Sequence, residues 1–191
     1  MREDPPSSPA PKAAVLTALA DTLDIPAVLA RFYLTQEQLR ELLKEAASSL
    51  KERETGAWRL YVDGASRGNP GPAGAGVVLL DPAGQVAAEA SRFLGRTTNN
   101  VAEYQALLLG LELARRHGVT YLEIFADSEL LVRQLTGRYQ VRSPHLKPLY
   151  QAARQALTSI PAWRLTHVPR QQNQAADRLA NAAIDQAKAG R

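Results

Sequence analysis

The chain of 191 residues contains no cysteine. This absence excludes disulfide bonds, thiolate zinc sites and cysteine nucleophiles. The sequence also lacks any apolar run near the roughly 20 residues that a membrane-spanning helix needs, and its first residues, MREDPPSSPAPK, lack the hydrophobic stretch of a signal peptide. We therefore expect a soluble, cytoplasmic protein that has no membrane among its partners.

Two nucleotide-binding motifs are missing as well. Gly74 and Gly76 resemble the start of a dinucleotide-binding loop, but two valines follow them and no G-x-G-x-x-G is completed. No Gly-Lys-Ser or Gly-Lys-Thr occurs, so the sequence has no P-loop. These absences disfavour dinucleotide and nucleoside triphosphate binding.

The composition is that of a globular protein, with 45% hydrophobic and 22% charged residues and a net charge of +4. Residues 1–57 hold 7 Lys and Arg against 9 Asp and Glu, whereas residues 58–191 hold 16 against 10. Positive charge attracts polyanions by releasing their counterions, but solubility explains a modest excess equally well. Charge alone therefore leaves polyanion binding open.

Two structural units are predicted. Residues 1–11 are rich in proline and serine and predict a disordered tail. Residues 12–52 show apolar spacings of three and four together with a T-x-x-Q capping box at Thr35–Gln38, which predicts a small all-helical unit whose partner the sequence does not identify. Residues 53–57 are predicted to be a linker, and residues 58–191 to be a second domain.

The second domain is predicted to be an α/β fold. Three closely joined strands indicate an antiparallel meander, and the later alternation of strand and helix requires parallel pairing. We therefore expect a mixed five-stranded sheet, three antiparallel strands plus two parallel ones, flanked by helices. The predicted elements are strands 58–63, 77–80 and 85–93, helix 101–117, strand 121–126, helices 128–136 and 144–158, strand 163–168 and helix 174–187.

Four acidic residues fall at positions where acids are costly. Asp63 and Asp127 each end a predicted strand, and the carboxyl ends of parallel strands are where open α/β sheets bind ligands. Glu103 and Asp177 each share a helical stripe with apolar residues. Taken singly, each acid is also explained by a turn, a helix cap or a capping box.

Convergence of these four acids would imply metal. Two carboxylates about 4 Å apart repel by roughly 4 kcal/mol at an effective dielectric near 20, so a cluster must take up protons or cations. Oxygen ligands suit Mg²⁺ or Mn²⁺. Two such ions stabilise the attacking and leaving oxygens of a phosphoryl displacement.

Four ordered motifs carry a family resemblance. They read YVDGASRGNPGPAG at 61–74, TTNNVAE at 97–103, ADS at 126–128 and NQAAD at 173–177. Over about residues 58–187 the chain resembles type 1 ribonuclease H in its short form. The resemblance implies an endonuclease that cuts the RNA strand of RNA/DNA hybrids by two-metal-ion catalysis, with little sequence preference, leaving 5′-phosphate and 3′-hydroxyl ends.

The resemblance also assigns the metal ligands. Asp63, Glu103, Asp127 and Asp177 correspond to the family's catalytic acids, which bind two Mg²⁺ ions, with Mn²⁺ as a substitute. Asp63 is expected to bridge both ions, Glu103 and Asp127 to complete one coordination shell, and Asp177 to complete the other. A metal-activated water would then attack the phosphodiester in line.

Further residues correspond to substrate contacts. Asparagine side chains both donate and accept hydrogen bonds, which suits the 2′-hydroxyls and base edges of a minor groove, although helix capping also explains two of them. Glu129 stands where many relatives carry a substrate-contacting glutamine. The predicted substrate-binding residues are Gly64 in a glycine-rich loop over 64–76, Asn69, Thr98 for a phosphate of the DNA strand, Asn99, Asn100 and Glu129.

The chain departs from the longer family members in one segment. Only residues 137–143 separate two predicted helices, where those enzymes carry a long basic handle that grips the hybrid. The grip must come from elsewhere, and the candidate arginines are Arg67, Arg96, Arg138 and Arg142. The short form resembles a subgroup whose substrates extend to RNA/RNA duplex.

Two residues compete for one catalytic role. His167 precedes Asp177 by ten residues, which matches the family's mobile histidine for proton transfer and product release. Arg170 is the rival, as a permanent charge that attracts the departing phosphate. A non-catalytic nucleic-acid-binding module of the same fold is the alternative function, but no metal-binding acid is missing. We expect a monomer.

Overall fold

The computed structural model describes residues 12–54 and 56–189. The chain divides into two compact units, Met1–Glu54 and Thr55–Arg191. The predicted disordered tail at 1–11 and one residue of the predicted linker, at position 55, lie outside the described residues. None of the helices described in these ranges has the length and apolar character to cross a membrane.

The first unit is helical, as the apolar spacing predicted. It comprises α1 (Lys12–Thr22), α2 (Ile25–Phe32) and α3 (Gln36–Glu54). The predicted capping box starts α3: the Gln38 N–H donates to Thr35 Oγ1 at 3.1 Å, and the Thr35 N–H donates to Gln38 Oε1 at 2.8 Å. The three helices meet in a small core of Val15, Ala18, Val28 and Leu39.

The second unit is a mixed five-stranded sheet with helices, and the predicted fold class is confirmed. The strand order is β3-β2-β1-β4-β5. β1 pairs with β2 and β2 with β3 in antiparallel fashion, whereas β1–β4 and β4–β5 are parallel. The elements are β1 (Trp58–Ser66), β2 (Gly71–Leu80), β3 (Val86–Thr97), α4 (Asn99–Arg116), β4 (Tyr121–Ala126), α5 (Glu129–Leu135), α6 (Lys147–Thr158), β5 (Ala162–His167), a 3₁₀ turn (Arg170–Gln172) and α7 (Gln174–Ala189).

β1 and β2 are longer than predicted, and the predicted glycine-rich loop over 64–76 shrinks to 67–70. A Cβ on Gly74 would lie 2.3 Å from the Ala180 carbonyl oxygen, and one on Gly76 would lie 2.2 Å from that of Ala176. These glycines therefore let the backbone of α7 pack against β2. The prediction that they lie in a loop is wrong, because both belong to β2 and the close packing of α7 requires glycine there.

The register of the parallel strands positions the site. Val62 on β1 pairs with Ala126 on β4, and both residues are fully buried. The residues that follow them, Asp63 and Asp127, therefore lie side by side at the carboxyl edge of the sheet. The core beneath this edge is apolar; it includes Leu60, Val77, Leu107, Leu122 and Ile124.

Candidate active site

Three acids converge at the carboxyl edge of the sheet. Carboxylate oxygens of Asp63, Glu103 and Asp127 lie within 4.8 Å of one another. Asp63 and Glu103 are each only 4% exposed. Three carboxylates this close together and largely removed from water repel one another strongly when ionised. The cluster therefore favours the binding of a cation or of protons.

Gly64 brings Glu103 into the cluster. A Cβ at this position would lie 2.1 Å from the Glu103 backbone nitrogen, so only glycine lets the first turn of α4 approach β1. The Gly64 N–H donates to Glu103 Oε2 at 3.2 Å, and Asn99 Nδ2 contacts Glu103 Oε1 at 3.4 Å. Gly64 was predicted to contact substrate; the structure gives it these contacts to Glu103, and substrate contact stays a prediction.

Asp177 lies in the wall of the same cavity, whose volume is about 200 Å³. It is in the first turn of α7, and its carboxylate pairs with the Arg170 guanidinium at 2.5 Å. The structure thus brings all four predicted acids to one cavity, three as a tight group and the fourth beside a cation.

Burial and mutual repulsion perturb two of these acids. Burial, reinforced by the Asp127 carboxylate, raises the pKa of Asp63 from 3.8 to about 7. Burial also raises the pKa of Glu103 well above its usual value, and the charges of Asp63 and Asp127 add to the effect. In each case too little positive charge or hydrogen bonding surrounds the ionised carboxylate to offset its burial. A divalent cation would supply that charge, and an all-carboxylate set of donors fits Mg²⁺ or Mn²⁺.

Asn173 is a site residue that the predictions missed. It is 1% exposed, and its Nδ2 donates to the Val62 carbonyl at 2.8 Å and to Asp127 Oδ1 at 3.1 Å. The backbone carbonyl of Asn173 accepts from the Asp177 N–H at 3.1 Å. Asn173 therefore joins β1, Asp127 and the start of α7. Its position four residues before Asp177 in the NQAAD motif was the available signal.

The structure separates the two rivals for the mobile catalytic role. Arg170 lines the cavity of the acids. His167, at the end of β5, is exposed and is not among the described residues that line this cavity. Only Arg170 therefore faces the acids in this conformation.

A second, larger cavity of about 430 Å³ holds three of the predicted substrate-binding residues, Asn69, Thr98 and Asn100. We call it the Thr98 groove. Thr98 is the N-cap of α4 and accepts from the Val101 N–H, so the alternative that helix capping explains Asn99 and Asn100 is wrong. Its other lining residues include Arg96, Ser143 and His145.

The remaining substrate predictions fall elsewhere. Asn99 lines the cavity of the acids, and its backbone N–H donates to Asn69 Oδ1 at 3.2 Å. Because Asn69 lines the Thr98 groove, this hydrogen bond joins a residue of each cavity. Glu129 forms an ion pair with Arg133 one helical turn away, and its side chain is 60% exposed. The Glu129 carboxylate is therefore engaged within α5, and its contact with substrate stays a prediction.

Comparisons with known proteins agree with this geometry. The profile of the protein family described as Reverse transcriptase-like matches residues 61–183. The chain is 48% identical over 127 residues to Ribonuclease HI of Halobacterium salinarum, which covers 66% of this chain and 64% of that protein, so the chain spans just under two thirds of that relative.

Two further likenesses cover nearly all of the matched protein. Ribonuclease H of Methylococcus capsulatus is 35% identical over 141 residues, covering 66% of this chain and 88% of that protein. The solved structure of LC11-RNase H1 in complex with RNA/DNA hybrid is 43% identical and superposes with a TM-score of 0.66, over 68% of this chain and 98% of that one.

Proposed function

Since the chain belongs to the ribonuclease H family, as its motifs predicted, we propose that its second unit hydrolyses the RNA strand of RNA/DNA hybrids. The products would carry 5′-phosphate and 3′-hydroxyl ends. The observation that carries this proposal is the group of Asp63, Glu103 and Asp127, whose carboxylate oxygens lie within 4.8 Å of one another. The LC11 relative with a similar fold was solved with such a hybrid.

Two Mg²⁺ ions, with Mn²⁺ as a substitute, are the proposed cofactors. Asp63, Glu103, Asp127 and Asp177 would hold them, since these four line one cavity. Divalent ions in such a site lower the pKa of a water and neutralise charge on the attacking and leaving oxygens.

The neighbouring residues of this chain prepare the site. Asn173 fixes one oxygen of Asp127 by a hydrogen bond of 3.1 Å. Arg170 places a permanent positive charge at the cavity wall, next to Asp177. That charge is suited to neutralise a phosphate as it leaves, which favours Arg170 over His167 for assisting product release.

The substrate would lie across the cavity of the acids and the Thr98 groove. Asn69, Asn99 and Asn100 would contact the minor groove, where each amide both donates and accepts. The Thr98 hydroxyl would face a phosphate of the DNA strand, and Arg96 lines the same groove. Because these groups address sugar and backbone, little sequence preference is expected.

RNA/RNA duplex is proposed as a further substrate, because minor-groove and phosphate contacts respond to duplex shape. We propose a monomer in the cytoplasm. The alternative is a module of the same fold that binds nucleic acid without cutting it, but that function needs no group of carboxylates able to hold metal.

A cleavage assay tests the proposal. The chain is incubated with end-labelled RNA/DNA hybrid and Mg²⁺, beside Asp127→Asn and a matched control, Asp21→Asn, which changes an exposed acid of α1. We expect cleavage by the parent chain and by Asp21→Asn, and none by Asp127→Asn. Equal cleavage by all three chains would refute the metal assignment, and binding without cleavage by the parent would support the non-catalytic alternative.

A further inference from the structure

The turn between β1 and β2 carries Asn69, one of the proposed minor-groove contacts. It spans residues 67–70 and lies beyond the last paired residues of the two strands, Ser66 and Ala73. The Arg67 N–H donates to the Pro72 carbonyl at 2.9 Å, which closes the turn on itself. Where the closed turn lies relative to the site therefore depends on its contacts with other elements.

Two hydrogen bonds hold the turn on the side of α4. Ser66 Oγ donates to the Thr97 carbonyl at 3.1 Å, at the end of β3. The Asn99 N–H donates to Asn69 Oδ1 at 3.2 Å, at the start of α4. These contacts reach the turn from one direction.

An ion pair holds the turn from the side of α7. Arg67 Nη1 lies 2.6 Å from Asp185 Oδ1, and Arg67 Nη2 donates to Asp185 Oδ2 at 2.8 Å. Two parallel bonds of this kind fix the direction of the guanidinium as well as its distance. The hydrogen bond from Arg67 lowers the pKa of the Asp185 carboxyl, so the pair is ionised at neutral pH. One of the four arginines that the sequence offers for the grip is thus engaged by an acid 118 positions later.

The helix that supplies Asp185 also supplies a proposed metal ligand. Asp177 is in the first turn of α7, and Asp185 follows it by eight residues, about 12 Å along the helix. Gly74 and Gly76 let the backbone of this helix pack directly on β2. The Asn69 turn and the cavity of the acids are therefore attached to one firmly packed helix.

Stability alone does not account for this ion pair. The side chains of Arg67 and Asp185 are 38% and 60% exposed, and exposed ion pairs contribute little to the free energy of unfolding. A pair that restricts a substrate-binding turn in the free protein has another effect, because it lowers the entropic cost of ordering that turn when the ligand binds.

We propose that Asp185 is a positioning residue for the substrate, which through Arg67 holds the turn where Asn69 meets the minor groove of the duplex. Neither Arg67 nor Asp185 is among the described residues that line the cavity of the acids. Loss of the pair therefore raises KM and leaves kcat unchanged. This inference rests on the proposed function, because it concerns the grip on the same substrate.

Steady-state cleavage of a labelled RNA/DNA hybrid in Mg²⁺ tests the proposal. KM and kcat are measured for the parent chain, Asp185→Asn, Arg67→Gln, the double variant that combines these two changes, and an exchanged pair that combines Arg67→Asp with Asp185→Arg. The matched control is Glu112→Gln, which removes an acid paired with Arg116 about 20 Å along α4 from Asn99. Thermal unfolding checks that each variant folds.

The positioning role predicts coupled effects. Each single variant should raise KM by up to about fivefold, the limit set by an ion pair of this exposure. The double variant should raise KM no further than either single variant, because all three lose the same interaction. The exchanged pair should bring KM back toward the parent value, and Glu112→Gln should leave it unchanged.

A lower KM for Asp185→Asn would overturn the proposal, since Arg67 would then bind a phosphate itself and Asp185 would compete for it. Additive effects of the two single changes, or a parental KM in both with a lower melting temperature, would overturn it as well. If the parent cleaves hybrid while any of these results is found, only the positioning role is wrong. If the parent does not cleave hybrid, the proposed function fails and this inference fails with it.

Discussion

The side-chain amide of Asn173 donates a hydrogen bond to the Asp127 carboxylate over 3.1 Å. The same nitrogen donates to the carbonyl of Val62, the residue before Asp63. One buried amide therefore connects β1, the residue that follows β4 and the first turn of α7. The position of Asp127 depends on a residue 46 positions later in the chain.

Replacing Asn173 by Asp should weaken metal binding. The substitution keeps the size of the side chain but replaces the amide nitrogen, which donates two hydrogen bonds, by a carboxylate oxygen, which only accepts. That oxygen would face the Val62 carbonyl and the Asp127 carboxylate, two further acceptors. Loss of a group that orients a ligand typically costs a factor of 10 to 100 in metal affinity. We expect a loss of about that size, measured as Mn²⁺ affinity by titration calorimetry, together with slower hybrid cleavage.

Gln134→Glu is the matched control for that variant. Gln134 is a second buried amide, and its Oε1 accepts from the Tyr104 hydroxyl at 2.9 Å, in the core. Both exchanges should lower the free energy of unfolding by about 1–3 kcal/mol. Only Asn173→Asp should change Mn²⁺ affinity, and an equal effect of both variants on it would contradict the positioning role.

Without metal, stability should fall as the pH rises from about 4 to 7. The pKa of Asp63 is about 7 in the folded chain against 3.8 ordinarily, so the folded state binds more protons than the unfolded state in this window. Asp63→Asn should remove this contribution and raise the free energy of unfolding near pH 8 by up to about 4 kcal/mol. Urea titrations in EDTA at several pH values measure it.

In saturating Mg²⁺ near pH 8, the parent chain should be more stable than Asp63→Asn, the reverse of their order in EDTA. Metal binds the ionised carboxylates of the parent and stabilises its folded state, whereas Asp63→Asn lacks one ligand. A parent chain whose stability in EDTA does not fall over this pH window would show that the pKa of Asp63 is not raised in the folded state.

Gly64→Ala should be strongly destabilising. The added Cβ would lie 2.1 Å from the Glu103 backbone nitrogen, and backbone cannot move aside as a flexible side chain can. We expect a loss of at least about 3 kcal/mol in the free energy of unfolding, at the upper end for overpacking.

Gly118→Ala is the comparison for that substitution. Its Cβ would meet nothing within 4 Å, but the backbone has a φ of +65°, so it should cost only about 1–2 kcal/mol. Urea denaturation of both variants measures the two values. Similar losses would mean that α4 shifts easily relative to β1.

Arg170→Ala should bind Mn²⁺ more tightly than the parent chain. The Arg170 guanidinium forms an ion pair with the Asp177 carboxylate, which metal would have to displace. A partly exposed ion pair of this kind contributes up to about 1 kcal/mol of free energy. Removing the competitor should tighten binding up to roughly fivefold. His167→Gln should leave Mn²⁺ affinity unchanged, because His167 is exposed and outside the cavity-lining residues described. Weaker Mn²⁺ binding by Arg170→Ala would contradict the competition.

Local patterns in the sequence were sufficient for several features. Hydrophobic periodicity predicted the order of the elements, and the capping box at Thr35 and Gln38 was predicted because its two partners are three residues apart. The acids were found because each lies at the end of a predicted strand or in the first turns of a predicted helix, although β1 continues three residues beyond Asp63. Fold class and family followed from motifs of this local kind.

The tertiary structure decided what depends on distant parts of the chain. Asn173 reaches Val62 across 111 positions, and Gly76 is glycine because of α7, a hundred residues later. The pairing of Arg170 with Asp177 likewise follows from the folded position of the segment between β5 and α7. Periodicity and capping report contacts within about one helical turn or one strand, whereas these relationships depend on strand order and helix packing, which appear only when the chain is folded.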